Sequence, residues 1–185
     1  MAPKPKSSEA YIALLRAIGP LTRKKMPMAD LRAACSAAGF ENVNTLLATG
    51  NIVLQTGLSL REAHARLAKV VASFGLDNAV FVRTPVELKA TRDANPFPAA
   101  AQKRPNHLLV VFLAGPPDEK LLRGLGTHAG PEKILCMGRE IYVDYRDGVG
   151  TSKIAPGVIE RKLKILGTAR NWNTIQRLIQ YTDVH

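Results

Sequence analysis

The sequence predicts an α+β protein made of two lobes, and three observations support this class. Short apolar runs of strand length alternate along the chain with segments in which apolar residues recur at helical spacing. Before residue 84 these segments follow the order βαββαβ, and a similar order begins again after residue 106. With 185 residues and 46% hydrophobic composition, the chain is long enough to bury a core without help from a metal or a disulfide.

The elements of the first lobe are indicated by their apolar patterns and by the residues that end them. Pro27 is suited to the start of a helix and Gly39 to its end. The predicted order is a strand at 10–18, a basic loop at 19–25, a helix at 28–38, strands at 42–47 and 52–55 around a turn at 48–51, a helix at 60–74 and a strand at 79–82. Two crossovers place both helices on one face of a four-stranded antiparallel sheet, so we expect a ferredoxin-like lobe.

A lobe boundary is predicted where Pro96 and Pro98 interrupt the chain after a short helix at 86–93. We therefore expect a disordered N-terminus at residues 1–8, the ferredoxin-like lobe at 9–94, a linker at 95–106 and a second lobe at 107–185. The second lobe is predicted as βαββ followed by basic C-terminal helices, with strands at 107–113, 133–137 and 140–145 and helices at 118–125, 156–166 and 174–181.

The net charge of +11 is concentrated at the two ends of the chain. Residues 1–25 contain six Lys or Arg and one acid, and residues 151–185 contain six Lys or Arg and two acids. If these ends lie side by side, they form a positive face suited to nucleic acid or to a phosphorylated small molecule. The alternative is that scattered basic residues only keep the protein soluble.

The chain carries no signal of secretion, membrane insertion or metal binding. The N-terminal residues lack the apolar stretch of a signal peptide, and no run approaches the length of a membrane span. Two Cys imply no disulfide framework, and no His pair has metal-ligand spacing with a Cys or an acid. We therefore expect a cytoplasmic protein with no metal, no cofactor and no membrane partner.

The densest polar chemistry lies at residues 147–178, which contain the only Trp of the chain. Two glycines permit a tight turn there, Thr151 or Ser152 can cap the helix that follows, and Lys153 together with the first helical N–H groups favours an anion. An ordinary hairpin exit followed by a helix cap is the competing interpretation.

Further along the same segment, Arg170, Asn171, Trp172 and Asn173 offer a planar cation, two amides and a stacking surface. Such a set can bind a base, a sugar or a carboxylate. Alternatively, Trp172 fills the core, Asn173 or Thr174 caps the last helix, and Arg170 pairs with an acid.

A third candidate lies in the first lobe at the turn that contains Thr49 and Asn51. Its functional interpretation directs the Thr49 hydroxyl and the Asn51 amide at a cleft that Arg16 borders. A tight hairpin in which Gly50 and Asn51 adopt positive φ explains the same residues without any function.

Separated segments of the chain, taken together, resemble the bacterial domain-of-unknown-function family 1697. They occur in family order over nearly the whole chain: YIALLRAI, MADLRAACSAAGFENVNTLLATGNIVLQ, VFVRTPVELKA with ANPFP, GREIYVDYRDGVGTSK, IERKL and ARNWNT. The resemblance implies a two-lobe α+β architecture and brings no established activity, cofactor or catalytic residues. Members typically have a Gly-rich LRGINVGG stretch after the first strand, where this chain has LRAIGPLTRKK, so Ala17 replaces a Gly. Pro156 and Gly157 also interrupt a helix that usually runs unbroken after SK.

Three functions are compatible with these features, and the sequence does not decide whether the protein is an enzyme. The first is a module that binds nucleic acid or a phosphorylated, anionic ligand through a basic surface. The second is an enzyme that acts on a small phosphorylated or acidic substrate between the lobes, and acid–base chemistry by Tyr142 and Asp144 is one form of it. The third is a structural or partner-binding protein.

Overall fold

The computed structural model describes residues 8–126 and 130–184, which fall into two compact units. The first unit is Met1–Glu87 with Tyr181–His185, and the second is Leu88–Gln180. Each contains one four-stranded antiparallel sheet, and the described residues include eight α-helices. The predicted α+β class is confirmed. Apart from Ser8, the N-terminus predicted to be disordered lies outside the described residues.

The first unit places its sheet against two helices. Its elements are β1 (Glu9–Leu15), α1 (Pro20–Lys25), α2 (Met28–Ala37), β2 (Glu41–Leu46), β3 (Asn51–Thr56), α3 (Leu60–Ala72), β4 (Val80–Arg83) and the start of α4 (Pro85–Asp93). The strand order is β2-β3-β1-β4. Alternate β1 residues Tyr11, Ala13 and Leu15 share one core with Leu31 of α2 and Leu67 of α3, because a strand directs every second side chain to the same face.

The segment between β1 and α2 differs from the prediction in two respects. The segment expected to be a basic loop at 19–25 contains α1, because Pro20 supplies a preset φ at the first turn and Arg and Lys favour helix. The first strand ends at Leu15 rather than residue 18, and Ala17 then adopts a left-handed backbone with φ +57°.

The second unit repeats the strand order of the first. It comprises the end of α4, then α5 (Pro98–Lys103), β5 (Leu108–Leu113), α6 (Glu119–Gly126), β6 (Lys133–Met137), β7 (Glu140–Asp144), a 3-10 turn (Val149–Thr151), α7 (Pro156–Leu163), β8 (Gly167–Asn171) and most of α8 (Trp172–Val184). The strand order is β6-β7-β5-β8, which places β5 to β8 as β1 to β4 are placed in the first sheet.

Strand β8 is the main element that the sequence analysis missed. Its sequence, GTARN, has no apolar alternation, and the sequence predicts a helix at 156–166 that ends just before it. The strand pairs with β5 from Leu109↔Asn171 to Leu113↔Gly167. Gly167 permits this close packing, since a Cβ there would lie 2.9 Å from a Val111 methyl carbon.

Two other segments differ from the prediction. Residues 98–103 of the predicted linker form α5. Helix α7 ends at Leu163, and Lys164 then takes a left-handed conformation with φ +53°. None of the described helices has the length and apolar character needed to cross a membrane.

Candidate functional site

In the loop after β7, the Ser152 side chain links Glu132 to the backbone of Ile154 and does not cap a helix. Its hydroxyl donates a short hydrogen bond to the Glu132 carboxylate and accepts one from the Ile154 N–H at 3.0 Å. Helix α7 begins at Pro156, and its N-terminal cap position is Ala155, with no side-chain cap. The prediction that Thr151 or Ser152 caps this helix is therefore wrong, because Pro156 fixes the first turn further along the chain.

A cleft of about 410 Å³ opens beside this loop in the second unit. Lys153 contributes the only ammonium group among the described lining residues, alongside the carboxylates of Glu132 and Asp147. Gly148 turns the chain there with φ +90°, close to the His107 ring. Lys153 thus lies in a cleft of mixed charge, and the first-turn N–H groups of α7 are not among the groups that line it.

The cluster at residues 171–173 forms the start of α8. Asn171 is its cap, because its side-chain oxygen accepts hydrogen bonds from the Thr174 N–H at 2.9 Å and the Thr174 hydroxyl at 2.8 Å. The capping role expected of Asn173 or Thr174 thus belongs to Asn171. Asn173 donates instead to the side-chain oxygen of Asn106 at 2.8 Å. Trp172 is only 5% exposed, so its ring is not presented for stacking with a ligand.

Arg170 is held inside the second unit by its own strand. Its Nη1 donates to the Thr168 hydroxyl and to the Ala169 carbonyl, both at 2.8 Å. Burial lowers the pKa of the guanidinium to about 10, which leaves it charged at neutral pH. The sequence analysis grouped Arg170 with three neighbours, and the structure buries Arg170 and Trp172 while using Asn171 and Asn173 for local hydrogen bonds.

In the first unit, Asn51 closes the β2–β3 hairpin. It is fully buried, and its amide nitrogen donates to the Leu46 carbonyl at 2.9 Å and to the Thr49 hydroxyl at 3.0 Å. The turn residues with positive φ are Leu47 and Gly50, so the expectation that Asn51 adopts positive φ is wrong. Asn51 instead starts β3.

Arg16 lies near the same hairpin. The N–H of its neighbour Leu15 donates to the Gly50 carbonyl at 2.8 Å, and a Cβ at Gly50 would lie 2.5 Å from Cγ1 of Ile18. The structure therefore brings Arg16, Thr49 and Asn51 to one end of the first sheet. The other six predicted site residues, Ser152, Lys153, Arg170, Asn171, Trp172 and Asn173, belong to the second unit.

Tyr142 and Asp144, which the sequence analysis named for acid–base chemistry, are both engaged in hydrogen bonds within the second unit. The Tyr142 hydroxyl donates to the Thr91 carbonyl at 2.6 Å, and burial raises the pKa of that phenol. Asp144 accepts two hydrogen bonds from Arg104, at 2.8 and 2.5 Å. Burial raises the pKa of the Cys136 thiol, which disfavours the nucleophilic thiolate. Within residues 8–126 and 130–184, no group of three or more His, Cys, Asp or Glu is placed to hold a metal.

Between the exposed acids Asp147 and Asp183, the exposed charged side chains are all basic, and the sequence analysis selected only one of these basic residues, Lys153. In residues 148–182, all described, the one acid is Glu160, and it is 9% exposed. The exposed charged side chains there are all basic: Lys153, Arg161, Lys162, Lys164 and Arg177. In the sequence, the basic residues near the end of the predicted helix at 156–166 could have indicated this surface.

Comparison with known proteins assigns the chain to a family. The family described as "Protein of unknown function (DUF1697)" matches residues 9–142, and the chain belongs to this family. The segments GVGTSK, IERKL and ARNWNT lie beyond the matched residues. The match indicates no specific function.

The fold is shared with a solved structure, that of the conserved bacterial protein SP0830 from Streptococcus pneumoniae. The two are 17% identical, with a TM-score of 0.74 over 95% of this chain and 98% of that one. At this identity the likeness shows the fold alone. No curated protein matches the chain.

Proposed function

We propose that this protein binds nucleic acid through the phosphate backbone. The contacts are made by the exposed side chains of Arg161, Lys162 and Lys164 at the C-terminal end of α7. The observation that carries the proposal is that every exposed charged side chain in residues 148–182 is basic. Phosphate contacts by Lys and Arg supply most of the sequence-independent affinity for nucleic acids.

The local geometry favours a phosphate-binding role. Ile159 and Leu163 anchor α7 in the core of the second unit, so the opposite side of the helix faces solvent. Arg161 and Lys162 lie in the last turn of α7, and Lys164 is the residue at which the helix ends. Leu166, two residues after Lys164, is 52% exposed and offers an apolar contact for a sugar or a base.

A similar combination occurs in the first unit and supports the same proposal. Arg23, Lys24 and Lys25 are exposed in the last turn of α1, and Leu21 in that helix is 77% exposed. No acidic residue lies between Glu9 and Asp30. Each unit thus carries a basic helix end with an exposed leucine.

Helix electrostatics offer a competing explanation for these positions. Cations near a helix C-terminus are stabilised by the helix dipole by about 0.3–1 kcal/mol. This effect accounts for basic residues in the last turn, but it does not account for the lack of exposed acids over residues 148–182. Arg123 separates the two explanations, because it also lies in the last turn of a helix but is 3.7 Å from Glu119.

The test combines Arg161→Gln, Lys162→Gln and Lys164→Asn in one variant. Asn is chosen at position 164 because it tolerates the left-handed backbone found there. We expect affinity for a labelled single-stranded oligonucleotide, measured by fluorescence anisotropy at low salt, to fall by about tenfold or more.

Arg123→Gln is the matched control and should leave the affinity nearly unchanged, with thermal melts confirming that both proteins are folded. Equal binding by the triple variant and the wild type would contradict the proposal. So would an equal loss of affinity in Arg123→Gln.

A further inference from the structure

We propose that two copies of this chain associate through strand β6, which pairs antiparallel with β6 of the second copy. In the second sheet β6 stands at one end of the order β6-β7-β5-β8. Among the described residues its only strand partner is β7, so one side of its backbone is left for another strand. An exposed sheet edge is a template for pairing with a further chain.

The edge formed by β6 is regular and partly apolar. Its register with β7 runs without a bulge from Lys133↔Asp144 to Met137↔Glu140. Leu135 is 48% exposed and Met137 is 45% exposed, and the strand contains no proline. These properties favour strand addition, since natural edges that stay unpaired are usually bulged, charged or interrupted by proline.

The corresponding edge of the first unit, strand β2, has the opposite character. Its register with β3 shifts between Glu41 and Asn44, and Asn42 adopts φ +48° within this irregularity. Asn42 and Asn44 are exposed and polar. A bulge of this kind twists an edge away from a partner strand, so only one of the two equivalent edges is suited to pairing.

The hairpin geometry selects a pairing register. Gly138 and Arg139 form a two-residue turn with φ +65° at Gly138, which makes Met137 and Glu140 the closing hydrogen-bonded pair. Backbone groups alternate along a strand, so Ile134 and Cys136 direct their N–H and C=O groups away from β7. A twofold axis at Leu135 sets Ile134 of one copy opposite Cys136 of the other, and all four outward groups are then matched.

Side-chain chemistry in this register is self-complementary, which favours a second copy over a foreign strand. Leu135 meets its own symmetry mate, so exposed apolar surface is covered. Lys133 of one copy lies opposite Met137 of the other. Within that other copy, Met137 pairs with Glu140 on β7, so Glu140 lies one strand further from Lys133. The twofold axis therefore brings Lys133 of each copy towards Glu140 of the other, whose carboxylate also lies 3.7 Å from Nε of Arg139 in its own chain.

Light scattering over a range of protein concentrations tests the proposal. We expect the wild-type mass to rise to about 40 kDa, twice the 20.1 kDa of one chain. Leu135→Lys places two ammonium groups opposite each other at the axis and should return the mass to that of one chain. Leu166→Lys, at a similarly exposed leucine of the second unit outside β6, should remain dimeric.

Cysteine cross-linking provides a readout that does not depend on the lysine variant. In a Cys136→Ser background, Leu135→Cys should form a covalent dimer on oxidation, whereas Leu166→Cys should not. Cys35 is fully buried and stays in both proteins. A wild-type mass of one chain at every concentration would overturn the proposal, and so would equal cross-linking at positions 135 and 166.

Discussion

Ala17 adopts a backbone conformation that is unfavourable for alanine. Its φ of +57° lies in the left-handed region, where the Cβ of an L-residue crowds the backbone. The Thr22 hydroxyl and the Gly19 N–H both donate to the Ala17 carbonyl, at 3.2 and 3.1 Å. A glycine, which the resemblance to the family implies at this position, adopts this geometry without the same crowding.

We therefore predict that Ala17→Gly stabilises the protein. Relief of the left-handed strain should exceed the extra chain entropy of Gly, raising the free energy of unfolding by about 0.5–1 kcal/mol. Urea unfolding of the variant and the wild type measures the change. Ala90→Gly, in the exposed interior of α4, is the matched control and should lower the same quantity by about 1 kcal/mol. A less stable Ala17→Gly protein would show that the strain is not the dominant effect.

At the scale of elements, the loop between β7 and α7 is held by a buried tyrosine. The Tyr145 hydroxyl donates to the Ile154 carbonyl at 2.9 Å, and the side chain is fully buried. Burial raises the pKa of this phenol above its ordinary value of about 10. Above pH 10 the unfolded chain loses this proton while the folded chain keeps it. The stabilisation is thus fully present below about pH 10 and is lost as the pH rises further.

Tyr145→Phe should change the stability in two ways. At pH 8 the free energy of unfolding should fall by about 1–3 kcal/mol, because the buried Ile154 carbonyl loses its partner. Above pH 10 the variant should lose stability less steeply than the wild type, by up to about 1.4 kcal/mol per pH unit. Urea unfolding from pH 8 to pH 11 tests both statements, and parallel curves for the two proteins would contradict the role assigned to Tyr145.

Elements with a clear apolar period were predictable, and those whose formation depends on a neighbour were not. Strand β6 has the predicted bounds, and α2 ends one residue before its predicted end, because local pattern and flanking residues determine them. Strand β8 forms because β5 offers it an edge, which its own five residues do not reveal. The same limit applies to the candidate site: the sequence indicated Asn51, Arg170 and Trp172 as ligand-binding candidates, but it did not reveal their burial or hydrogen bonds, which depend on the folded structure.

At the scale of the whole molecule, the proposed function depends on the distribution of charge and not on a single motif. The sequence alone shows the net charge of +11 and its concentration towards the two ends of the chain. Burial adds that Glu160 is largely removed from the surface of residues 148–182 while five basic side chains remain exposed. The proposed nucleic-acid contact follows from this difference in exposure between acidic and basic residues.

The dependence of wild-type oligonucleotide affinity on salt tests this central claim most directly. Three phosphate contacts on a single strand release about 0.7 counterion each, so the logarithm of the association constant should fall against the logarithm of salt concentration with a slope of about −2. An affinity that does not change with salt, or no measurable binding at low salt, would contradict the account.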